Sequence, residues 1–242
     1  MIAYLITAVL GVTGGFVQAI TGFGAGIIIM LALPGFLPMN IAPTVSNIVT
    51  SPLTVSIALR YKRYAVPKLV IVPAVIYLAA STAAIRLSMH LNLTALKMAF
   101  GFVLIALAVY FMLFSGKIQV KGSFLTALVC CAIAGFLGGF FGIGGPTLAI
   151  YFLSVTKEKE EYLGTLNLLF VLTNTYQVVF RAFSGLITAA CVPYLIIGTA
   201  AILIGSFLGG RVVGRINGDT MKKVIYIFLA FAGAVTAAEC IL

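Results

Sequence analysis

Two short glycine-rich stretches decide how this sequence folds: residues 22–26 read Gly-Phe-Gly-Ala-Gly, and residues 142–146 read Gly-Ile-Gly-Gly-Pro. Each stretch interrupts a long apolar segment, and glycine and proline are the residues that most readily break a helix. After the first break only about a dozen residues follow before Pro34 and Pro38, whereas a membrane span needs about 20 residues. The pattern therefore predicts a broken helix or a helical hairpin at two matching places.

The rest of the sequence has the composition of a polytopic membrane protein. Apolar residues make up 62% and charged residues 8% of the 242 residues, and the mean hydropathy is +1.21. Such a chain has too little polar surface for a soluble domain. Residues 1–59 contain no charged side chain and no histidine. Further uncharged runs cover 69–85, 98–116, 122–156, 162–180, 182–210 and 224–238.

The sequence contains two copies of one pattern, with a period near 120 residues. Beyond the breaks, three further features recur in the same order, which indicates an internal repeat. These are Asn47 with Asn167, Arg60 near Arg181, and the pair Thr94 and Lys97 with the pair Thr220 and Lys223. We expect an all-α fold of two repeats, residues 1–117 and 118–242, each a broken segment plus three spans. The expected segments are 2–37, 42–59, 66–87 and 95–115, then 122–155, 162–182, 188–212 and 219–240.

The positive charges distinguish between two topologies of these repeats. If each broken segment crosses the membrane once, the fifteen Lys and Arg residues divide seven to eight between the two sides. If each is a hairpin that enters and leaves on one face, they divide twelve to three, with Arg86, Lys97 and Arg181 outside. Because cytoplasmic loops carry the excess of positive charge, we expect inverted-topology repeats in the cell inner membrane, with both termini outside the cytoplasm. Hairpins that cross fully in both directions would give the same parity.

The breaks offer a way to bind a small anion without a charged side chain. Where a helix begins inside the membrane, its first N–H groups lack partners and its dipole presents partial positive charge. Glycine lets a ligand approach the backbone, and proline suits the first helical turn. Helix packing is the competing interpretation, which we expect for Gly11, Gly14, Gly15, Gly135, Gly138 and Gly139. The candidate substrate-binding residues of the breaks are Gly22, Gly24, Ala25, Gly26, Gly142, Gly144, Gly145 and Pro146.

Polar side chains near each break are further candidates. Asn47 and Asn167 occupy equivalent positions of the repeats, and an amide there can donate two hydrogen bonds to an anion. Hydrogen bonding between helices is the alternative. Gln18 lies just before the first break and has no counterpart in the second half. Arg60 and Arg181 end matching spans, where they either attract anions or anchor the helix at the interface.

Other classes of function find little support in the sequence. One histidine and five acidic residues make a metal cluster or a nucleophile–base pair hard to assemble, so we expect no enzyme, no metal and no cofactor. The net charge of +10 resides in loops between spans, which indicates membrane topology and contact with lipid rather than nucleic acid. The sequence does not decide whether the coupling ion is H⁺ or Na⁺. Carbonyl groups at a break could hold Na⁺. The oligomeric state also stays open, with a homodimer among the alternatives.

The two breaks, each followed by a span that carries Asn47 or Asn167, resemble the TauE/SafE sulfite exporter family, also called the 4-toluene sulfonate uptake permease family. The resemblance covers the whole chain. The second break fits the glycine-proline pattern of the family through Pro146, whereas the first break lacks the proline. The resemblance implies a secondary transporter for sulfite, a sulfonate or a related sulfur-containing anion. We expect alternating access between the two repeats, and an anion channel that uses the same helix termini is the alternative.

Overall fold

The described part of the chain is entirely helical. The structure is a computed structural model, and it describes residues 1–114, 122–215 and 217. Within these ranges there is no strand, and two short 3₁₀ turns, Leu33–Gly35 and Ala189–Cys191, join the α-helices. The α-helices of these ranges are α1 Ile2–Thr21, α2 Ala25–Met30, α3 Ala42–Arg60, α4 Lys68–Ser88, α5 Leu93–Phe114, α6 Phe124–Phe141, α7 Gly145–Val155, α8 Lys159–Phe183 and α9 Val192–Val213.

The helices follow the predicted segments closely and confirm an all-α polytopic membrane protein. Six of the described helices are long and apolar enough to cross a bilayer, namely α1, α3, α4, α6, α8 and α9 with the turn before it. Helix α5 matches the predicted span 95–115. The predicted span 219–240, the matched pair Thr220 and Lys223, and the repeat boundary between 117 and 118 lie outside the described residues.

Both broken segments fold as hairpins. A Cβ atom on Gly14 would lie 3.1 Å from the Cα atom of Ala25, so the first residue of α2 lies beside the middle of α1. In the second half, a Cβ atom on Gly144 would lie 2.5 Å from the carbonyl oxygen of Ala134, a residue well before the end of α6. In each case the chain therefore turns back along the helix that it has just left.

The helix contacts repeat when the two halves are exchanged. Helix α1 makes its most extensive contact with α9 of the other half, and α6 makes its most extensive contact with α4. Helices α3 and α8, which follow the two hairpins, pack against each other. Each hairpin is therefore held mainly by the other half of the chain, and α3 and α8 form the centre between them.

Small residues bring these helix pairs close together, as the packing interpretation of the glycines predicts. A Cβ atom on Gly205 of α9 would overlap the carbonyl oxygen of Val12 in α1. In the other pair, a Cβ atom on Gly139 of α6 would lie 2.6 Å from the carbonyl oxygen of Ser81. Between membrane helices, close backbone approach through small residues is a main source of packing energy. Gly14 and Gly138 differ, because they make room for α2 and for Tyr77, respectively.

Candidate functional site

The two breaks meet at one cavity between the halves of the chain. A Cβ atom on Gly26 would lie 2.9 Å from the carbonyl oxygen of Gly142, and one on Gly145 would lie 3.0 Å from the Cβ atom of Phe23. The cavity has a volume of about 40 Å³. Its wall consists of Gln18, Phe23, Gly24, Gly26, Ile27, Asn47, Thr50, Thr54, Tyr77, Gly142, Ile143, Gly144, Gly145, Phe170 and Asn174.

The structure brings most of the predicted site residues to this cavity. The ones that line it are Gly24, Gly26, Asn47, Gly142, Gly144 and Gly145. Four others lie next to the breaks without lining the cavity: Gly22, Ala25, Pro146 and Asn167. The predicted residues of the two halves therefore lie close together, whereas their role in binding stays a prediction.

The first break depends on glycine backbone conformation, and a side chain already binds one of its N–H groups. Gly22 has φ +84° and Gly24 has φ +110°, a region where other residues are strained. The following helix α2 has only six residues. The N–H group of Ala25, at its start, already donates to the side-chain oxygen of Gln18 at 3.2 Å. The first break therefore shapes the cavity wall, and the N–H group of Ala25 is bonded to Gln18 rather than open to a ligand.

The second break is the stronger helix N-terminus. Gly142 has φ +71°, and its N–H group donates to the carbonyl oxygen of Gly138 at 2.9 Å. This bond ends α6. Helix α1 ends in the same way, because the N–H group of Gly22 donates to the carbonyl oxygen of Gln18. Helix α7 then runs for 11 residues with Pro146 in its first turn, as predicted. The N–H groups of this first turn have no partner within the helix, and Gly144 and Gly145 face the cavity.

Each asparagine lies beside the left-handed glycine of the other half's break. A Cβ atom on Gly142 would lie 3.4 Å from Oδ1 of Asn47, and one on Gly22 would lie 3.4 Å from Nδ2 of Asn167. Both side chains are buried, but their hydrogen bonds differ. Asn47 Nδ2 donates to Gln177 Oε1 at 2.7 Å, whereas Asn167 Nδ2 donates within its own helix, to Leu163 at 3.0 Å. Asn47 is therefore the asparagine that can serve the cavity.

Sequence reasoning missed Tyr77. Its hydroxyl group accepts a hydrogen bond from Gln177 Nε2 at 3.0 Å, and Tyr77 lines the cavity from α4. Asn47, Gln177 and Tyr77 form one buried polar network in this way. Tyr77 occupies the space beside Gly138. Gly138 lies four residues before Gly142, and Gln18 lies four residues before Gly22, so Gly138 and Gln18 hold equivalent positions. An isolated tyrosine in an apolar span carries no pattern, so no sequence signal singles it out.

The interpretation of Arg181 as an interfacial anchor is wrong. Its side chain is fully buried, and one terminal nitrogen donates to the carbonyl oxygen of Gly139 in α6. Arg60, at the matching end of α3, is exposed and donates to the carbonyl oxygen of Gly210 at 3.4 Å. Hydropathy places both residues at helix ends but cannot distinguish a helix end that faces lipid from one that faces protein.

Long apolar helices and two broken hairpins that meet at a polar cavity define a multi-pass membrane protein of the broken-helix type. The chain belongs to the TauE/SafE sulfite exporter family, because the family model described as "Sulfite exporter TauE/SafE" matches residues 7–236. This membership confirms the family resemblance and implies transport of a small anion rather than an enzymatic reaction.

A curated relative covers nearly the same length. The chain is 26% identical, over 95% of its own length and 91% of the relative's, to the "Probable sulfite/organosulfonate exporter TauE" of Cupriavidus necator. No solved structure gives a significant match. The sequence relationship therefore covers the breaks, the central helices and both halves of the chain.

Proposed function

We propose that this protein is a secondary transporter of the inner membrane that moves sulfite, a sulfonate or a related sulfur-containing anion. It works by alternating access between two inverted repeats, residues 1–117 and 118–242. One observation carries the proposal: both broken hairpins and both halves of the chain contribute to the wall of a single polar cavity. A site between two repeats can open to either side when one repeat rocks against the other.

The wall of the cavity suits an anion. It contains amides, hydroxyl groups and glycine backbone but no Asp or Glu. The first turn of α7 contributes N–H groups and the positive end of a helix dipole, which stabilise negative charge. Asn47 and Gln18 can add neutral donors, and Tyr77 a hydroxyl group. The anion is then bound without a fixed cation in the cavity wall, which would be costly to bury when the substrate has left.

Flux measurements test this function directly. Purified protein in proteoliposomes is expected to give sulfite flux that saturates with concentration and responds to an imposed H⁺ or Na⁺ gradient. The same preparation is then examined in planar bilayers. Unitary conductance steps together with flux that does not saturate would replace the transporter by an anion channel.

We expect both termini to lie outside the cytoplasm, because the hairpin topology leaves twelve of the fifteen positive charges inside. Alkaline phosphatase fused to either terminus should be active in cells. Green fluorescent protein fused to the same terminus should not fluoresce. A fusion in the basic loop 61–67 serves as the inside control and should give the opposite result. An active phosphatase in that loop would contradict the topology.

Asn47→Ala is expected to weaken transport about 10-fold, the usual effect of losing one or two polar contacts. The variant also leaves Gln177 Oε1 without its donor. Asn167→Ala should have a smaller effect, because its amide bonds to its own helix. The half-saturation concentration and maximal rate of sulfite flux are measured for both. Asn92→Ala, at an exposed amide outside the cavity wall that accepts from the N–H group of Thr94 at the start of α5, is the control for a general loss of stability, and equal kinetics in all three variants would leave the asparagines with a purely structural role.

A further inference from the structure

Arg181 is a buried cation in the interior of the described helices. It lies in α8, two residues before the end of the helix, and none of its side chain is exposed. Its position follows from the helix register: Asn174, Gln177 and Arg181 are spaced three and four residues apart and so share one face of α8. That face points towards α6 and α4 rather than towards the surrounding lipid.

Only part of the guanidinium group of Arg181 has a partner. One terminal nitrogen donates to the carbonyl oxygen of Gly139, which lies in the last turn of α6 just before the break. Carbonyl groups of a last helical turn lack partners, and a cation there is stabilised by the helix dipole. Nε and the other terminal nitrogen have no hydrogen-bond partner among the residues that the structure describes.

Among the described residues, no carboxylate forms an ion pair with Arg181. Within the described ranges the ion pair is Lys159 with Glu160, at the opposite end of α8 from Arg181. A buried arginine normally has an anionic partner, because two or more unsatisfied charged donors are costly to remove from water. Capping one carbonyl group would need only a neutral donor. The charge and the two unused nitrogens therefore point to an anion as the missing partner.

Arg181 is linked to the cavity through the polar network. Gln177, one helical turn before it, bonds to Asn47 at 2.7 Å and to Tyr77 at 3.0 Å. Both of these partners line the cavity, whereas Gln177 and Arg181 do not. The side chains of Asn47, Gln177 and Tyr77 thus separate the cavity from Arg181. Arg181 itself lies near the C-terminal end of α8.

We propose that Arg181 forms a second anion-binding station, which receives the transported oxyanion between the central cavity and the C-terminal end of α8. The network of Asn47, Gln177 and Tyr77 separates the two stations. This inference rests on the proposed transport function and adds a residue and a direction to it. Arg60, at the matching position of the first repeat, is exposed, so the first repeat has no buried counterpart of Arg181.

The test measures sulfite flux separately from each face of the membrane, in right-side-out and everted vesicles. Arg181→Gln keeps a neutral donor for Gly139 and removes the charge, whereas Arg181→Lys keeps the charge. We expect Arg181→Gln to raise the half-saturation concentration about 10-fold on the face where the C-terminal end of α8 lies, with little change on the other face. Arg181→Lys should restore much of the loss. Arg60→Gln, exposed at the matching position, is the control.

The outcomes separate this inference from the proposed function. Unchanged half-saturation concentrations on both faces in Arg181→Gln, with saturable flux in the wild type, overturn the inference alone. A lower melting temperature with unchanged kinetics assigns Arg181 to capping α6 and overturns it as well. Absence of saturable sulfite flux in the wild type counts against the transport function on which it rests. All assays are done in gluconate and repeated with chloride, and an effect of Arg181→Gln confined to chloride medium would assign the station to chloride instead of the substrate.

Discussion

Gly144→Val is expected to abolish measurable anion binding. A Cβ atom at this position would lie 2.5 Å from the carbonyl oxygen of Ala134 and 2.9 Å from the ring and hydroxyl group of Tyr77. Because the first of these neighbours is backbone, the start of α7 must move away from the cavity. Loss of two N–H contacts to a charged ligand, each contributing about 1.5–3 kcal/mol, reduces affinity at least about 100-fold.

The binding test needs a control with the same backbone conformation. Gly214 is also in the right-handed helical region and has no neighbour within 4 Å of its Cβ position, so Gly214→Val should bind normally. Affinity for sulfite is measured by calorimetry or by the ligand-induced shift in melting temperature. Gly145→Ala, whose nearest neighbour would be the Phe23 side chain at 3.0 Å, provides a milder change if the valine variant does not fold. Normal affinity in both Gly144→Val and Gly145→Ala would remove the second break from the binding site.

Strain at the first break gives a companion measurement. Gly24→Val places a β-branched residue at φ +110°, and Gly185→Val places one at φ +72° in an open loop with no neighbour within 4 Å. Both variants carry backbone strain of about 1–3 kcal/mol, but only Gly24 lines the cavity. We expect binding to fall in the Gly24 variant alone. Comparable loss in the Gly185 variant would attribute the effect to strain rather than to the site.

The largest loss of stability is expected for Gly205→Val. A Cβ atom on Gly205 would overlap the carbonyl oxygen of Val12, so the variant forces apart the most extensive helix contact of the structure, between α1 and α9. Overpacking against backbone costs about 3 kcal/mol or more, and folded protein should be hard to recover. Melting temperature and monodispersity in detergent measure the effect.

Gly210→Val in the same helix is the control for this prediction. The three atoms nearest to its Cβ position belong to the guanidinium group of Arg60, the first of them at 2.7 Å, and a flexible, exposed side chain can move aside. This variant should therefore behave nearly as the wild type does. Equal stability of the Gly205 and Gly210 variants would show that α1 and α9 tolerate separation.

The sequence was sufficient to predict the helices and the breaks. These features depend on local composition: uncharged runs set the spans, and the glycine clusters at 22–26 and 142–146 set the interruptions. Hairpin formation was preferred on the distribution of positive charge, and the close approach of Ala25 to Gly14 confirms it for the first half. The inverted orientation of the repeats is still a prediction.

The sequence could not predict which helices of one half pack against which helices of the other half. Equivalence of Asn47 and Asn167 was visible, but their placement beside the other half's break depends on how α3 and α8 pack. The same packing buries Arg181 and leaves Arg60 exposed, although both end matching spans. Tyr77 reaches the cavity only because Gly138 leaves space for its hydroxyl group. Such contacts are set by residues far apart in sequence, which periodicity does not report.

The contact between α1 and α9 has a consequence for biosynthesis. Helix α1 ends at Thr21, and its main partner α9 runs from Val192 to Val213. During translation the ribosome must therefore add nearly all of the remaining chain before the first hairpin can find its partner. Until then we expect the interrupted backbone around Gly22 and Gly24 to stay away from lipid, because lipid satisfies none of its polar groups. The order of synthesis thus means that the N-terminal hairpin cannot complete its packing before α9 has been made.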